Sequence, residues 1–176
     1  MRPWHRALLI FFVLGSCIGC DQVSKDLAQD ALRFAPAVSI LGDTLHLVYA
    51  ENPGIAFSLG TTLSPALRFW LFTVGAGLLL VGLVTFILMR HRANRQEIMA
   101  YGFIIGGGAS NLVDRLLNDG RVIDFMMVEL GMMRTAIFDL ADVMILAGVV
   151  LLARALWRSM PALTPAPALP QAGEPL

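Results

Sequence analysis

Five aspartates, Asp114, Asp119, Asp124, Asp139 and Asp142, fall within residues 106–142, a stretch bounded by long apolar runs. Carboxylates crowded at the edge of a bilayer are expensive to keep ionised, so their presence asks for a chemical reason. Asp124 stands among apolar neighbours in Val122-Ile123-Asp124-Phe125, and Asp142 directly precedes the uninterrupted apolar run 143–153. Two carboxyls brought close together in a low-dielectric setting do not both ionise readily, and one holds a proton near neutral pH. Such a pair suits hydrolysis of an amide: the ionised member takes a proton from water while the neutral one donates to the carbonyl. Taken singly, each is as readily a solvated acid at a helix end, because interfacial acids are far cheaper than midplane ones.

Other polar residues near these two have types suited to support. Asn111 and Asp114 are three apart, on one face of a helix. Arg115 can pair with a carboxylate or hold backbone carbonyls at the membrane surface. Asp21 and Lys25 have the i, i+4 spacing of an ordinary helix ion pair, which on spacing alone is structural. Asn52, in Asn52-Pro53-Gly54, has an amide able to donate to and accept from a peptide backbone, with Ile55 and Phe57 placed to dip into lipid. His5, His46 and His91 are scattered, with no metal-ligand spacing. Asp124 and Asp142 alone lack the dense oxygen set that calcium takes, so no metal is expected. Cys17 and Cys20 have no second pair to complete a zinc site and no redox context, and read as small apolar packing residues.

The elements that position these residues are membrane spans. The chain of 176 residues is 57% hydrophobic and only 15% charged, with mean hydropathy +0.71; a soluble domain carries about 25% charged residues. Net charge is zero, so nothing points to nucleic acid. Four apolar runs stand out, at 7–20, 69–89, 98–113 and 143–153. Crossing about 30 Å of hydrocarbon takes about 20 residues. The second run meets this outright, and the others do so if their polar ends enter the membrane edge. The expected spans are 7–28, 66–89, 97–117 and 138–158, forming an all-α four-helix bundle in one unit, 1–160.

One set of loops holds Arg2, Arg6, Arg90, Arg92, Arg95, Arg154 and Arg158 with only Glu97 and Glu174 as acids. Short Arg-rich loops stay cytoplasmic, so both termini are expected inside and every candidate carboxylate outside. The external loop carries Ala37–Leu41 and Leu45–Tyr49 around the turn signal Gly42-Asp43. It predicts a small β-element over about 37–60, lying on the outer surface. The Gly106-Gly107-Gly108 run lets helices approach closely. The Pro/Ala-rich tail, 161–176, is expected to be disordered. The N-terminus also has the flanks of a cleavable secretory signal, but a first span carries the same flanks.

Together the motifs resemble one family closely, the lipoprotein signal peptidases, or signal peptidase II, of bacterial inner membranes. The matching stretches are DQVSK at 21–25, NPGIAFSL at 52–59, GGASNLVDR at 107–115, VIDF at 122–125 and FDLADV at 138–143. The resemblance implies a metal-independent, cofactor-free aspartyl protease whose catalytic pair is Asp124 and Asp142. It implies that Asp21, Lys25, Asn52, Asn111, Asp114 and Arg115 brace the site, with Gly54, Asp139 and Ala141 of the same motifs. The implied substrate is a prolipoprotein whose cysteine carries diacylglycerol, cut just before that cysteine by a multi-pass enzyme, expected to be monomeric, with its active site at the periplasmic face. Two positions depart from the family pattern. Asp139 stands where Asn is usual, adding a like charge unless it is protonated or pairs with an Arg. Ser110 stands where Gly is usual, a minor change for packing.

Two readings from other classes compete. A small transporter or channel subunit would place the acids near the midplane, whereas these gather at one edge. A structural lipoprotein anchored through Cys20 would lose residues 1–19.

Overall fold

A computed structural model describes residues 3–54, 60, 62–90 and 93–159. The expected lipid contacts of Ile55 and Phe57, and the expected disorder of the 161–176 tail, lie outside the described residues. Among the described residues four long helices appear: α1 (Pro3–Leu32), α2 (Pro65–Met89), α3 (Arg95–Leu117) and α4 (Leu140–Ser159). Three of them, α1, α2 and α4, are long and apolar enough to cross a membrane. Helix α3 carries Arg95, Glu97, Asp114 and Arg115 and lies against all three. Within α2 the seven residues Phe69–Gly75 are wound as a π-helix, a local widening that apolar periodicity does not announce.

Glycine decides how closely α3 meets its neighbours. A methyl on Gly106 would stand 2.6 Å from the Cys17 Cβ of α1, and one on Gly107 would stand 2.5 Å from the Ala141 carbonyl oxygen of α4. On the other side of the same contact, a methyl on Gly148 would stand 2.6 Å from the Ala100 carbonyl oxygen. Cys17 is accordingly a buried packing residue, and Cys20 is exposed. At the end remote from the acids, Arg6 donates to the carbonyls of Arg90, at 2.8 Å, and Ile87. There Asn94 and Glu97 close a capping box on α3, and Ile87, Ile98 and Ile105 fill the interior.

At the other end lies an antiparallel sheet of four strands in the order β1-β2-β3-β4: β1 (Val38–Ile40), β2 (Leu45–Asn52), β3 (Val122–Leu130) and β4 (Met133–Arg134). The expected β-element at 37–60 supplies only half of it. The other half comes from 122–134, where the sequence shows no alternation because Val122, Ile123, Asp124 and Phe125 are all buried. Ala28 and Leu32 at the end of α1 pack with Phe125, Leu47 and Tyr49, seating the sheet on that helix. Asp124 therefore sits inside a strand that crosses the mouth of the bundle.

Candidate functional site

Lys25 is the hub of the polar cluster. Its side chain is 1% exposed, and its Nζ lies 2.7 Å from Asp21, 2.9 Å from Asp114 and 2.6 Å from Asp139. It also donates to Asn111 Oδ1 at 2.9 Å. The i, i+4 spacing of Asp21 and Lys25 suggested an ordinary helix pair; the structure corrects this to a buried junction joining α1, α3 and the start of α4. A buried ammonium is tolerable only when its charge is matched and its protons are used, and these acids do both. Each acid also holds backbone: Asp21 Oδ1 accepts from Ala141 N at 2.8 Å, and Asp114 Oδ2 accepts from Ile123 N at 3.1 Å.

Asp139 is the N-cap of α4. Its Oδ1 accepts from Asp142 N at 2.8 Å, satisfying a donor that the helix start leaves free. Its other oxygen meets Lys25. The extra charge at this position was expected to be relieved by protonation or by pairing with an Arg; the partner it finds is Lys25, shared with Asp21 and Asp114.

On this frame the two candidate acids come together. Asp124 projects from β3 and Asp142 from the first turn of α4, and one oxygen from each, with one from Asp139, lie within 4.8 Å of one another. Asp124 is 2% exposed. Asn52 Nδ2 donates to its Oδ2 at 2.9 Å, and Asn111 Nδ2 donates to Asp142 Oδ1 at 3.3 Å. Burial pushes the Asp124 carboxyl up to about 7; the Asn52 hydrogen bond opposes the rise and the charge of Asp142 adds to it. Three clustered carboxylates are a donor set that a divalent ion could use. Here, however, Asp139 has one oxygen on the Asp142 amide and the other on an ammonium, so it is poorly free to ligate.

The pair stands at the head of a cleft of about 300 Å³ between α2, α3 and α4, walled by Leu79, Leu80, Leu83, Ile104 and Ile145. A second cavity reaches Asp124 from the sheet side, between Ala50–Pro53 and Thr135–Ile137. A chain entering through one and leaving through the other would pass both carboxyls. Arg115 donates to the Gly54 carbonyl at 3.0 Å and the Asn111 carbonyl at 3.2 Å, tying the turn after β2 to the end of α3. Of the two partner types expected for Arg115, the carbonyls are the ones it takes. Asn52 donates to Asp124 through Nδ2 and accepts from Gly54 N at 3.0 Å through Oδ1, and each end of its amide keeps a second hydrogen-bonding position.

Every candidate site residue thus falls in or beside one cluster. Two participants, Gln22 and Glu51, were not singled out in the sequence, and a third, Ser110, was read only as a minor packing change. Gln22 donates to Asp114 at 2.8 Å and to the Ser110 hydroxyl at 3.0 Å. The Ser110 hydroxyl donates in turn to Asp21 Oδ2 at 2.7 Å, so that residue is a link in the network rather than a spacer. Glu51 is held by Arg121 at 2.8 Å, which keeps its carboxyl below the usual range. Gln22 lies three residues before Lys25, one turn along the same helix, and that spacing was the available signal.

The family model for Signal peptidase (SPase) II matches residues 13–158. The lipoprotein signal peptidase of Azoarcus sp. (strain BH72) is 34% identical over 160 residues, 90% of this chain and 87% of that protein. The lipoprotein signal peptidase of Leifsonia xyli subsp. xyli (strain CTCB07) is 38% identical over 146 residues, 79% of this chain and 62% of that protein, so the chain spans less than two thirds of it. Among solved structures, a bacterial membrane enzyme determined by the in meso method at 2.3 Å resolution is similar, with TM-score 0.72 and 25% identity, covering 88% of each chain.

Proposed function

This chain belongs to the signal peptidase II family, and on that premise we propose that it removes signal peptides from diacylglyceryl-modified prolipoproteins, cutting just before the lipidated cysteine. The observation that carries the reading is the approach of Asp124 and Asp142, from a strand and a helix start, at the head of an apolar cleft. Asp124, whose buried carboxyl is pushed up to about 7, carries the shared proton, and Asp142, met by the Asn111 amide, acts as the base. Water between them loses a proton to Asp142 and attacks the scissile carbonyl, while Asp124 protonates the carbonyl oxygen. Collapse of the resulting diol returns one hydroxyl proton to Asp124, while the proton held by Asp142 passes to the leaving amine, restoring both carboxyls to their starting states. Asp21, Lys25, Asn111, Asp114 and Asp139 hold α4 and β3 in place, and Asn52, Gly54, Arg115 and Ala141 shape the walls.

The acyl chains of the substrate keep it in the bilayer, so its scissile bond is delivered to a fixed height, which lowers the entropic part of the barrier. That requires α3 to serve as a fourth span, with both termini inside and the acids at the periplasmic face of the inner membrane. The Arg6 contacts to the end of α2, opposite the acids, support this orientation. We take residues 1–160 as one domain working as a monomer.

The test is reconstitution of the purified protein with a diacylglyceryl-modified precursor. Wild type should cleave it, with or without a chelator. Asp124→Asn and Asp142→Asn should each lose at least about 10³-fold in turnover while staying folded, in line with loss of an acid or base from a dyad. Undiminished turnover in either variant, or loss of wild-type activity to the chelator, would sink the mechanism.

A further inference from the structure

The end of the sheet farthest from Asp124 is built of apolar side chains that no described residue covers. Leu45 pairs with Val128, and Glu129 N donates to Thr44 O at 2.8 Å, so the β1–β2 turn and the β3–β4 hairpin lie side by side there. In the turn Leu41 is 77% exposed; in the hairpin Leu130, Met132 and Met133 are 65%, 103% and 78% exposed. Gly131, at φ +61°, makes the tight turn that turns Met132 fully outward. Exposed apolar patches of this kind mark a surface meant to be covered.

The charges behind the tip are closed on one another. Arg134 pairs with Glu129 at 2.9 Å, and His46 lies 3.3 Å from the same carboxylate. In the turn the Asp43 carboxylate accepts from the Ser39 hydroxyl. Such a neck, neutralised and polar, suits the headgroup layer, with the tip one step deeper. The neighbouring surface supplies the continuity. The sheet is seated on Ala28 and Leu32 of α1, and the preceding turns of that span expose Val23 and Leu27 outward.

We infer that Leu41, Leu130, Met132 and Met133 form a foot inserted in the outer leaflet, which fixes the height of β3, and so of Asp124, above the bilayer. The foot rests on the membrane placement proposed above and goes beyond it by assigning a lipid contact to an extramembrane hairpin. It also gives β3 two anchors, α1 at the near end and lipid at the far end.

Site-directed spin labelling separates the possibilities. In a Cys17→Ala/Cys20→Ser background, a nitroxide is placed at Met132→Cys, or at Leu78→Cys on the outward face of α2, in nanodiscs of phosphatidylethanolamine and phosphatidylglycerol. Collision of the label with oxygen, which concentrates in lipid, is compared with collision with a water-soluble nickel chelate. Oxygen is expected to dominate at both positions. Oxygen dominating at 78 and nickel at 132 would overturn the foot and leave the membrane bundle standing. Nickel dominating at 78 would overturn the bundle reading and the foot with it. Dipolar broadening at 132 that grows as lipid is withdrawn would show a second copy covering the tip, and would overturn the lipid contact.

Discussion

Asp21 on α1 caps the start of α4 across the bundle, its Oδ1 accepting from Ala141 N at 2.8 Å over a separation of 120 residues. Asp139 caps the next free donor, at Asp142 N, from within its own segment. The first turn of α4 is thus held by two carboxylates, and both meet Lys25. The position of Asp142 is therefore set by a charge network centred on Lys25.

Removing the cation at the centre of that network should be costly. Lys25→Met leaves Asp21, Asp114 and Asp139 buried without a counter-charge, for which about 3–5 kcal/mol of destabilisation is expected. Thermal unfolding at pH 7 measures it. The deficit should narrow at low pH, where the acids accept protons, and a deficit unchanged by acid would mean that lost packing explains the effect. Lys25→Arg should not rescue, because a planar guanidinium cannot make the same four-way contact as a point ammonium.

Gly107→Ala should damage activity without touching a polar group. Its methyl would lie 2.5 Å from the Ala141 carbonyl oxygen, which is backbone and cannot rotate away. Helix α4 must then move, and Asp142 with it. A displacement near 1 Å at a reacting group costs about 10²-fold in rate. The control is Gly82→Ala, where the methyl would meet nothing within 4 Å; cleavage rates for the two variants should separate clearly.

The sequence made much of this legible, and the limits have physical reasons. Asp124 and Asp142 were marked by their charge at the rim of apolar runs, and the spans by run length. Strand β3 was hidden because its first four residues are buried together, leaving no alternation to read. Lys25 read as an ordinary pair because spacing within one helix says nothing of Asp114 and Asp139, which arrive from other elements. Ser110 read as a spacer because its hydroxyl partners, Asp21 and Gln22, lie on another helix.

The Asp124 carboxyl links activity to pH. Burial raises it from its ordinary 3.8 to about 7, so cleavage should fall as pH rises above about 7 and the last shared proton is lost. Stability follows with a fixed sign. Between 3.8 and about 7 the native state keeps a proton that the unfolded chain has released, so wild-type stability declines as pH rises across that window and then levels off. Asp124→Asn escapes this penalty. It should be inactive yet melt higher than wild type at pH 8, by an amount on the order of a few kcal/mol, with little difference near pH 4. Equal melting at pH 8 would show that the native Asp124 carboxyl titrates at its ordinary value and carries no such penalty.

Asp139 separates capping from charge. Asp139→Asn keeps an oxygen for the Asp142 amide, and Asn caps a helix as well as Asp does. It gives up one of three carboxylates around Lys25 and turns an amide donor toward the ammonium, leaving Asp21, Asp114 and the Asn111 oxygen to hold that charge. It also removes a like charge from within 4.8 Å of the two candidate catalytic oxygens. Processing of a lipidated precursor should therefore be retained or improved. Asp139→Ala loses the cap as well, which should remove about 1 kcal/mol of stability and loosen the Asp142 backbone, lowering kcat more than it changes KM. If Asp139→Asn instead abolished cleavage in a folded protein, the charge facing Lys25, and not the cap, would be what holds Asp142 in register.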